Sequence, residues 1–278
     1  MQKICFIMAM QAEAQPLIER YGLQNIEGYF GEVPTELYQG IISGKELSIV
    51  TLGRQHGVDL VGCEAATFAT TLAINALHPD MIINAGTCGA FKANGSEIGD
   101  VYLSHGPVMF HDRRVPEDDE LAIQNLGNYP TYDARQIAKD LGLKLGKCTT
   151  GSSLDMLDED YQIIKANGGE LKDMEAGAVA FVASLYKTPL ICVKSVTDLI
   201  DGGEKTIEEF RKNLSMASNA LHDAQFLNEC FQTVDTFQGD FILTPALFLD
   251  MPDIFRKADE FRQTIFKDVT IIGWRNDG

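Results

Sequence analysis

Positive charge is scarce in this 278-residue chain: 23 Lys and Arg stand against 40 Asp and Glu, for a formal net charge of −17. Nucleic-acid phosphates and anionic membrane surfaces repel such a chain, so neither is an expected partner. The plain role of the excess acid is solubility. Cysteine offers no framework. Cys5, Cys63, Cys88, Cys148, Cys192 and Cys230 have no paired spacing and several sit inside apolar runs, which points to buried free thiols in a reducing compartment. No His or Cys pair has metal-ligand spacing, so no metal site is expected. No stretch reaches the roughly 18 to 20 uninterrupted apolar residues that span a bilayer. Met1-Gln2-Lys3 leads straight into a strand-like run without the apolar core and small-residue cleavage site of a secretory leader. A soluble, cytoplasmic protein starting at Met1 is the expectation. Internal repeats, low-complexity segments and linkers are also missing.

What is present is a 45% hydrophobic composition, enough over this length to bury a full core, and an alternation of strand-like and helix-like segments. Ile4 to Ala9 reads as a buried strand, followed by a helix from Met10 to about Tyr21 that Gly22 stops. From Tyr29 to Leu52 short runs broken by Gly31, Pro34, Gly40 and Gly44 suit an antiparallel section, with Ser48 to Leu52 its best strand. A glycine-bracketed loop, Gly53-Arg54-Gln55-His56-Gly57, precedes a helix expected over 58–77. Further strands are expected at 81–84, 101–104, 145–149 and 190–193, and helices at 136–143, 158–167 and from 207 to about 231. Residues 116–132 read as a long excursion or lid. The pattern favours one α/β domain over residues 1–235. Residues 236–278 break it, yet carry six phenylalanines and the only tryptophan, Trp274, so a packed extension is expected there.

The chemistry gathers around Asp173-Met174-Glu175-Ala176-Gly177-Ala178 and, about twenty residues on, Lys194-Ser195-Val196-Thr197-Asp198. Asp198 falls at the C-terminal edge of the strand begun at Leu190, where α/β folds collect their sites. Glu175 opens a helix, where orphan backbone donors point outward. Glu13 stands just past the first strand, where a first-turn glutamate also has a purely structural use. Gly86 and Gly89 let backbone approach a ligand beside Thr87 in Ala85-Gly86-Thr87-Cys88-Gly89-Ala90, a segment expected as a loop. Arg54 and His56 lie in a loop able to cradle an anion but lacking phosphate-loop spacing. His111 has three open readings: base, ligand contact or surface residue.

Taken in collinear order, Met10-Gln11-Ala12-Glu13, Ile83-Asn84-Ala85-Gly86-Thr87, Gly99-Asp100-Val101-Tyr102-Leu103, Phe110-His111-Asp112-Arg113-Arg114, Thr150-Gly151-Ser152-Ser153-Leu154-Asp155-Met156, Asp173-Met174-Glu175 and Ser195-Val196-Thr197-Asp198 resemble the 5'-methylthioadenosine/S-adenosylhomocysteine nucleosidases, the plant-type enzymes above all. The resemblance spans about residues 3 to 232. It implies a three-layer nucleoside phosphorylase-like fold, a central mixed β-sheet flanked by helices. It also implies hydrolysis of the N-glycosidic bond of 5'-methylthioadenosine, with S-adenosylhomocysteine and 5'-deoxyadenosine as further substrates, in methionine and S-adenosylmethionine salvage. By position, Asp198 matches the acid that protonates adenine N7 and Glu13 the residue that places the attacking water. Glu175 matches the carboxylate on the ribose hydroxyls, with Met174 beside the sugar. Thr87, Lys194, Leu154, Phe110 and His111 match further substrate-binding positions, near the water, beside the acid, at adenine and, for the last two, near the 5'-substituent. No cofactor is implied, and a homodimer is. Cys88, Ala90 and the order Ala176-Gly177 depart from the usual pattern, small residue for small residue.

Two alternatives stand beside this one. Phosphorolysis would need cations converging beside the ribose, and Arg54 is the obvious candidate. A non-catalytic nucleoside-binding or storage role would be expected to come with loss of the carboxylates, which are all present.

Overall fold

A computed structural model of the chain describes residues 2–114, 127–203 and 205–221. The aromatic extension 236–278, most of the 116–132 excursion and the last turns of the helix expected to reach residue 231 lie outside the described residues.

The first half holds β1 (Lys3–Met8), α1 (Gln11–Tyr21), β2 (Gln24–Asn25), β3 (Glu36–Ile42), β4 (Lys45–Thr51), β5 (Arg54–Gln55), β6 (Val58–Asp59), α2 (Cys63–Leu77) and β7 (Met81–Ala90). The second holds β8 (Val101–Ser104), β9 (Met109–Phe110), α3 (Arg135–Leu141), β10 (Lys144–Gly146), β11 (Cys148–Thr150), α4 (Asp158–Ala166), β12 (Leu171–Asp173), α5 (Ala176–Tyr186), β13 (Leu190–Leu199) and α6 (Thr206–Ala220). The main sheet runs β10-β8-β13-β7-β1-β4-β3-β2. Its centre is parallel, β4 to β1 to β7 to β13, while β8 joins β13 and β3 joins β4 antiparallel. A short branch, β9, β11 and β12, leaves the path where β12 pairs antiparallel with the end of β7.

β1 shows why helices cover both faces. Its side chains are apolar on both sides, as in strands buried between two layers. Ile4, Phe6 and Met8 pack in one cluster with Ala14, Leu17 and Ile18 of α1, and Cys5 and Ile7 in another with residues of α2 and α5. Full burial of each large apolar side chain stabilises the fold by about 1.5–3 kcal/mol. This is the three-layer, mixed-sheet α/β fold that the motifs imply.

Several boundaries differ from the sequence expectation. The helix expected over 58–77 begins only at Cys63, because His56 (φ 53°) and Gly57 (φ 80°) turn β5 back on β6 as a hairpin. Gly62 (φ 93°) then caps α2. The segment 85–90 is not a loop: β7 continues through it to Ala90, held by β13 along its length. β13 likewise runs past Val193 to Leu199, with a register shift between Val196 and Asp198 that marks a bulge.

Candidate active site

Each key side chain is delivered by the end of a strand or the start of a helix. β1 ends at Met8 and α1 begins at Gln11, which places Glu13 in the first turn, 2% exposed and facing β7. Its Oε1 accepts hydrogen bonds from Thr87 N (2.7 Å) and Thr87 Oγ1 (2.8 Å), and its Oε2 one from Met10 N (3.2 Å). A Cβ on residue 86 would lie 3.2 Å from Oε1, so the glycine there makes room for this carboxylate.

On the next strand the bulge turns Asp198 toward the same cleft, where it is 4% exposed. Thr197 Oγ1 lies 2.8 Å from Asp198 Oδ1 and 3.2 Å from Cys88 O. Burial raises the Asp198 pKa above the ordinary carboxyl value; the Thr197 hydrogen bond and the Lys172 charge oppose that, while Glu209 adds to it. The carboxyl is thereby biased toward keeping its proton.

Glu175 is the N-cap residue of α5, yet its side chain serves the other helix: Oε1 accepts from Gly62 N, the N-cap of α2, at 2.8 Å. Burial, with the charge of Asp173, pushes its pKa up to about 7, against the pull of Lys194 and the Gly62 hydrogen bond.

Asp173 supports this arrangement from behind. It accepts from Thr150 Oγ1 (2.6 Å) and Ala176 N (2.9 Å) and pairs with Lys194 Nζ at 2.7 Å, both side chains being almost wholly buried. Burial alone would lower the Lys194 pKa; Asp173 and its neighbours more than offset it and hold the lysine charged.

A cleft of about 550 Å³, counting its open mouth, brings together Glu13, Thr87, Leu154, Met174, Glu175 and Asp198. Lys194, Phe110 and His111 are not in its wall. Lys194 sits beneath it on Asp173. Phe110 is buried against Gly177 and Tyr129. His111 Nδ1 lies 3.1 Å from Thr149 Oγ1, its ring fills the space a side chain on residue 151 would take, and burial with the Lys172 charge lowers its pKa to about 4, so it is neutral. Arg54 also stands apart, donating to Gly57 O and pairing with Asp59 in the exposed hairpin.

Sequence reasoning missed Asp173 as a partner, and Lys172, Thr197 and Phe210 as cleft residues. For Asp173 a signal existed: a lysine inside the apolar run 190–196 must be buried, and a buried lysine requires a carboxylate. Among the described residues no group of three or more His, Cys, Asp or Glu is arranged to hold a metal ion.

A central mixed sheet with its carboxylates gathered at one set of strand ends places the chain in the phosphorylase superfamily, whose model matches residues 3–229. Within it the chain belongs to the 5'-methylthioadenosine/S-adenosylhomocysteine nucleosidase family. It is 44% identical over 222 residues to the 5'-methylthioadenosine nucleosidase of Arabidopsis thaliana, covering 78% of this chain and 82% of that one. It is 43% identical over 225 residues to the 5'-methylthioadenosine/S-adenosylhomocysteine nucleosidase of the same plant, covering 80% and 88%. The apo structure of the Arabidopsis thaliana 5'-methylthioadenosine nucleosidase superposes with a TM-score of 0.79 at 40% identity, over 84% of this chain and 96% of that one. The family and fold expected from the seven motifs are thus borne out.

Proposed function

We propose that this protein is a nucleosidase that hydrolyses the N-glycosidic bond of 5'-methylthioadenosine, releasing adenine and 5-methylthioribose. The observation that carries this is the convergence of three carboxylates, Glu13, Glu175 and Asp198, on one cleft, supported by the identity to nucleosidases over most of the chain. Breaking the bond leaves the base electron-rich and the ribosyl carbon cationic. Asp198, biased toward its protonated form, gives its proton to adenine N7 as the C1'–N9 bond breaks. Glu13, fixed by Thr87, holds the water whose oxygen bonds to C1' and receives the proton that water loses. Glu175 takes the ribose hydroxyls, Met174 lies against the sugar and the Leu154 segment meets the base. Negative charge from Glu13, joined by that of Glu175 above its pKa of about 7, stabilises the oxocarbenium-like transition state.

Lys194 acts in this scheme through Asp173, as a support under Glu175. Phe110 and His111 pack behind Gly177 and Gly151. Water rather than phosphate is the nucleophile, because a carboxylate, Glu13, occupies the end of the first strand and Arg54 is tied up in the hairpin. Adenine release measured with and without phosphate tests this directly: hydrolysis needs none, and strict phosphate dependence overturns the proposal. S-adenosylhomocysteine and 5'-deoxyadenosine are further candidate substrates, ranked by their kcat/KM against that of 5'-methylthioadenosine.

A homodimer accords with the exposed apolar side chains Phe68 on α2 and Phe181 and Leu185 on α5, and sedimentation would test it. A cytoplasmic setting accords with the buried, free state of Cys5, Cys63, Cys88, Cys148 and Cys192. No helix among the described residues is long and apolar enough to cross a membrane.

A further inference from the structure

Lys172 is a buried cation in the wall of the cleft, 6% exposed, to which neither the motifs nor the chemistry above gives a task. It is the middle residue of β12, and two observations define its surroundings. Its ammonium donates to Ser153 O at 2.7 Å and Leu154 O at 3.0 Å, the backbone assigned to the base. In the sheet, Gly89 of β7 is the register partner of Lys172 on one side and of Asp198 on the other. Two strand spacings, roughly 10 Å, therefore separate the two backbones, and the residue between them has no side chain.

We propose that Lys172 is a positioning residue: it clamps the 153–154 backbone where the base docks and stands as the cation facing Asp198 across Gly89. Burying an ammonium is costly unless it is hydrogen-bonded and paired. Here burial lowers its pKa below the ordinary lysine value, opposed by the charges of Asp198, Asp173, Asp155 and Asp160, and two carbonyls take its protons. Its charge then acts on the acid. Asp198 feels burial and Glu209 of α6 pushing its proton on, Thr197 and Lys172 pulling it off; Glu13 of α1 and Glu175 ahead of α5 share the cleft. Lys172 is thus a cation acting on Asp198. Its charge opposes the rise that burial gives the acid's pKa, which eases the proton's departure, and offers positive charge to the base as that becomes electron-rich.

The inference rests on Asp198 being the acid, so one experiment carries both controls: pH profiles of kcat/KM for adenine release by the wild type, Lys172→Met, Lys172→Arg and Asp198→Asn. Lys172→Met is expected to move the alkaline limb up by about one pH unit, as loss of a nearby opposite charge does. Release of the 153–154 backbone is expected to raise KM about tenfold. Lys172→Arg keeps the wild-type limb. If Lys172→Met does not fold, Lys172→Gln, which retains an amide donor without charge, replaces it. An unmoved limb in the neutral variant, with Asp198→Asn inactive, overturns the role of Lys172 alone. Wild-type turnover by Asp198→Asn overturns the proposed function beneath it.

Discussion

The carboxylate of Asp198 occupies the space that a side chain on residue 89 would need: a Cβ on Gly89 would come within 2.6 Å of Asp198 Oδ2. Gly86 stands in the same relation to Glu13, less tightly, at 3.2 Å. The sequence motif invites the thought that these glycines admit a ligand. Their first use is to admit the two carboxylates into a strand that continues through both positions.

Gly89→Ala is therefore expected to displace Asp198 and to lower kcat/KM by about 100-fold, since misplacement of about 1 Å can cost that much. Gly86→Ala, where the neighbour has only to yield a few tenths of an ångström, is expected to lose much less. Steady-state kinetics of the two variants would check the ranking, and equal losses would contradict it.

Thr87→Val removes one of the two hydrogen bonds that Thr87 gives Glu13 Oε1 and leaves the backbone one. A hydrogen bond to a charged group is worth about 1.5–3 kcal/mol, so kcat is expected to fall by about ten- to a hundredfold with KM little changed. A pure KM effect would place Thr87 on the substrate instead.

Asp173→Asn leaves Lys194 charged and without its partner in the core. Breaking such a pair from one side destabilises by about 3–5 kcal/mol. Denaturant unfolding is expected to show that loss, and to show part of it restored in Asp173→Asn/Lys194→Met, where neither charge remains. A double variant no more stable than Asp173→Asn would argue against the pair.

Glu175 makes stability depend on pH. Its pKa is about 7 folded against the ordinary value of 4.5, so between those values the folded protein holds a proton the unfolded chain has released. The contribution is full below about pH 4.5 and is lost as pH rises through about 7. Urea unfolding from pH 5 to 8 is expected to show the wild type losing stability relative to Glu175→Gln; parallel curves would refute this.

How much of this was legible beforehand differs by kind. The apolar runs at Ile4, Leu190 and Met81 announced strands because strands buried on both faces are continuous in hydrophobicity. Glu13, Glu175 and Asp198 were legible as strand-end or helix-start carboxylates, and their order along the chain marked the family. Gly62 as the true start of α2 was not, because a glycine with φ 93° inside a helical pattern looks like any small residue until its backbone is seen. The continuation of β7 through Gly86 and Gly89 was hidden by the same residues, which read as loop formers. Lys172 and Asp173 flank each other in sequence, yet their partners, Leu154 O and Lys194 Nζ, come from other elements. No local pattern encodes such a pairing.

Adenine release from 5'-methylthioadenosine by Asp198→Asn, compared with wild type in phosphate-free buffer, tests the account most directly. Removing a positioned general acid costs about 10² to 10⁴ in rate, and the account predicts a loss of that order in kcat while Glu175 still holds the substrate and Glu13 the water. Turnover by the variant at the wild-type rate would contradict it.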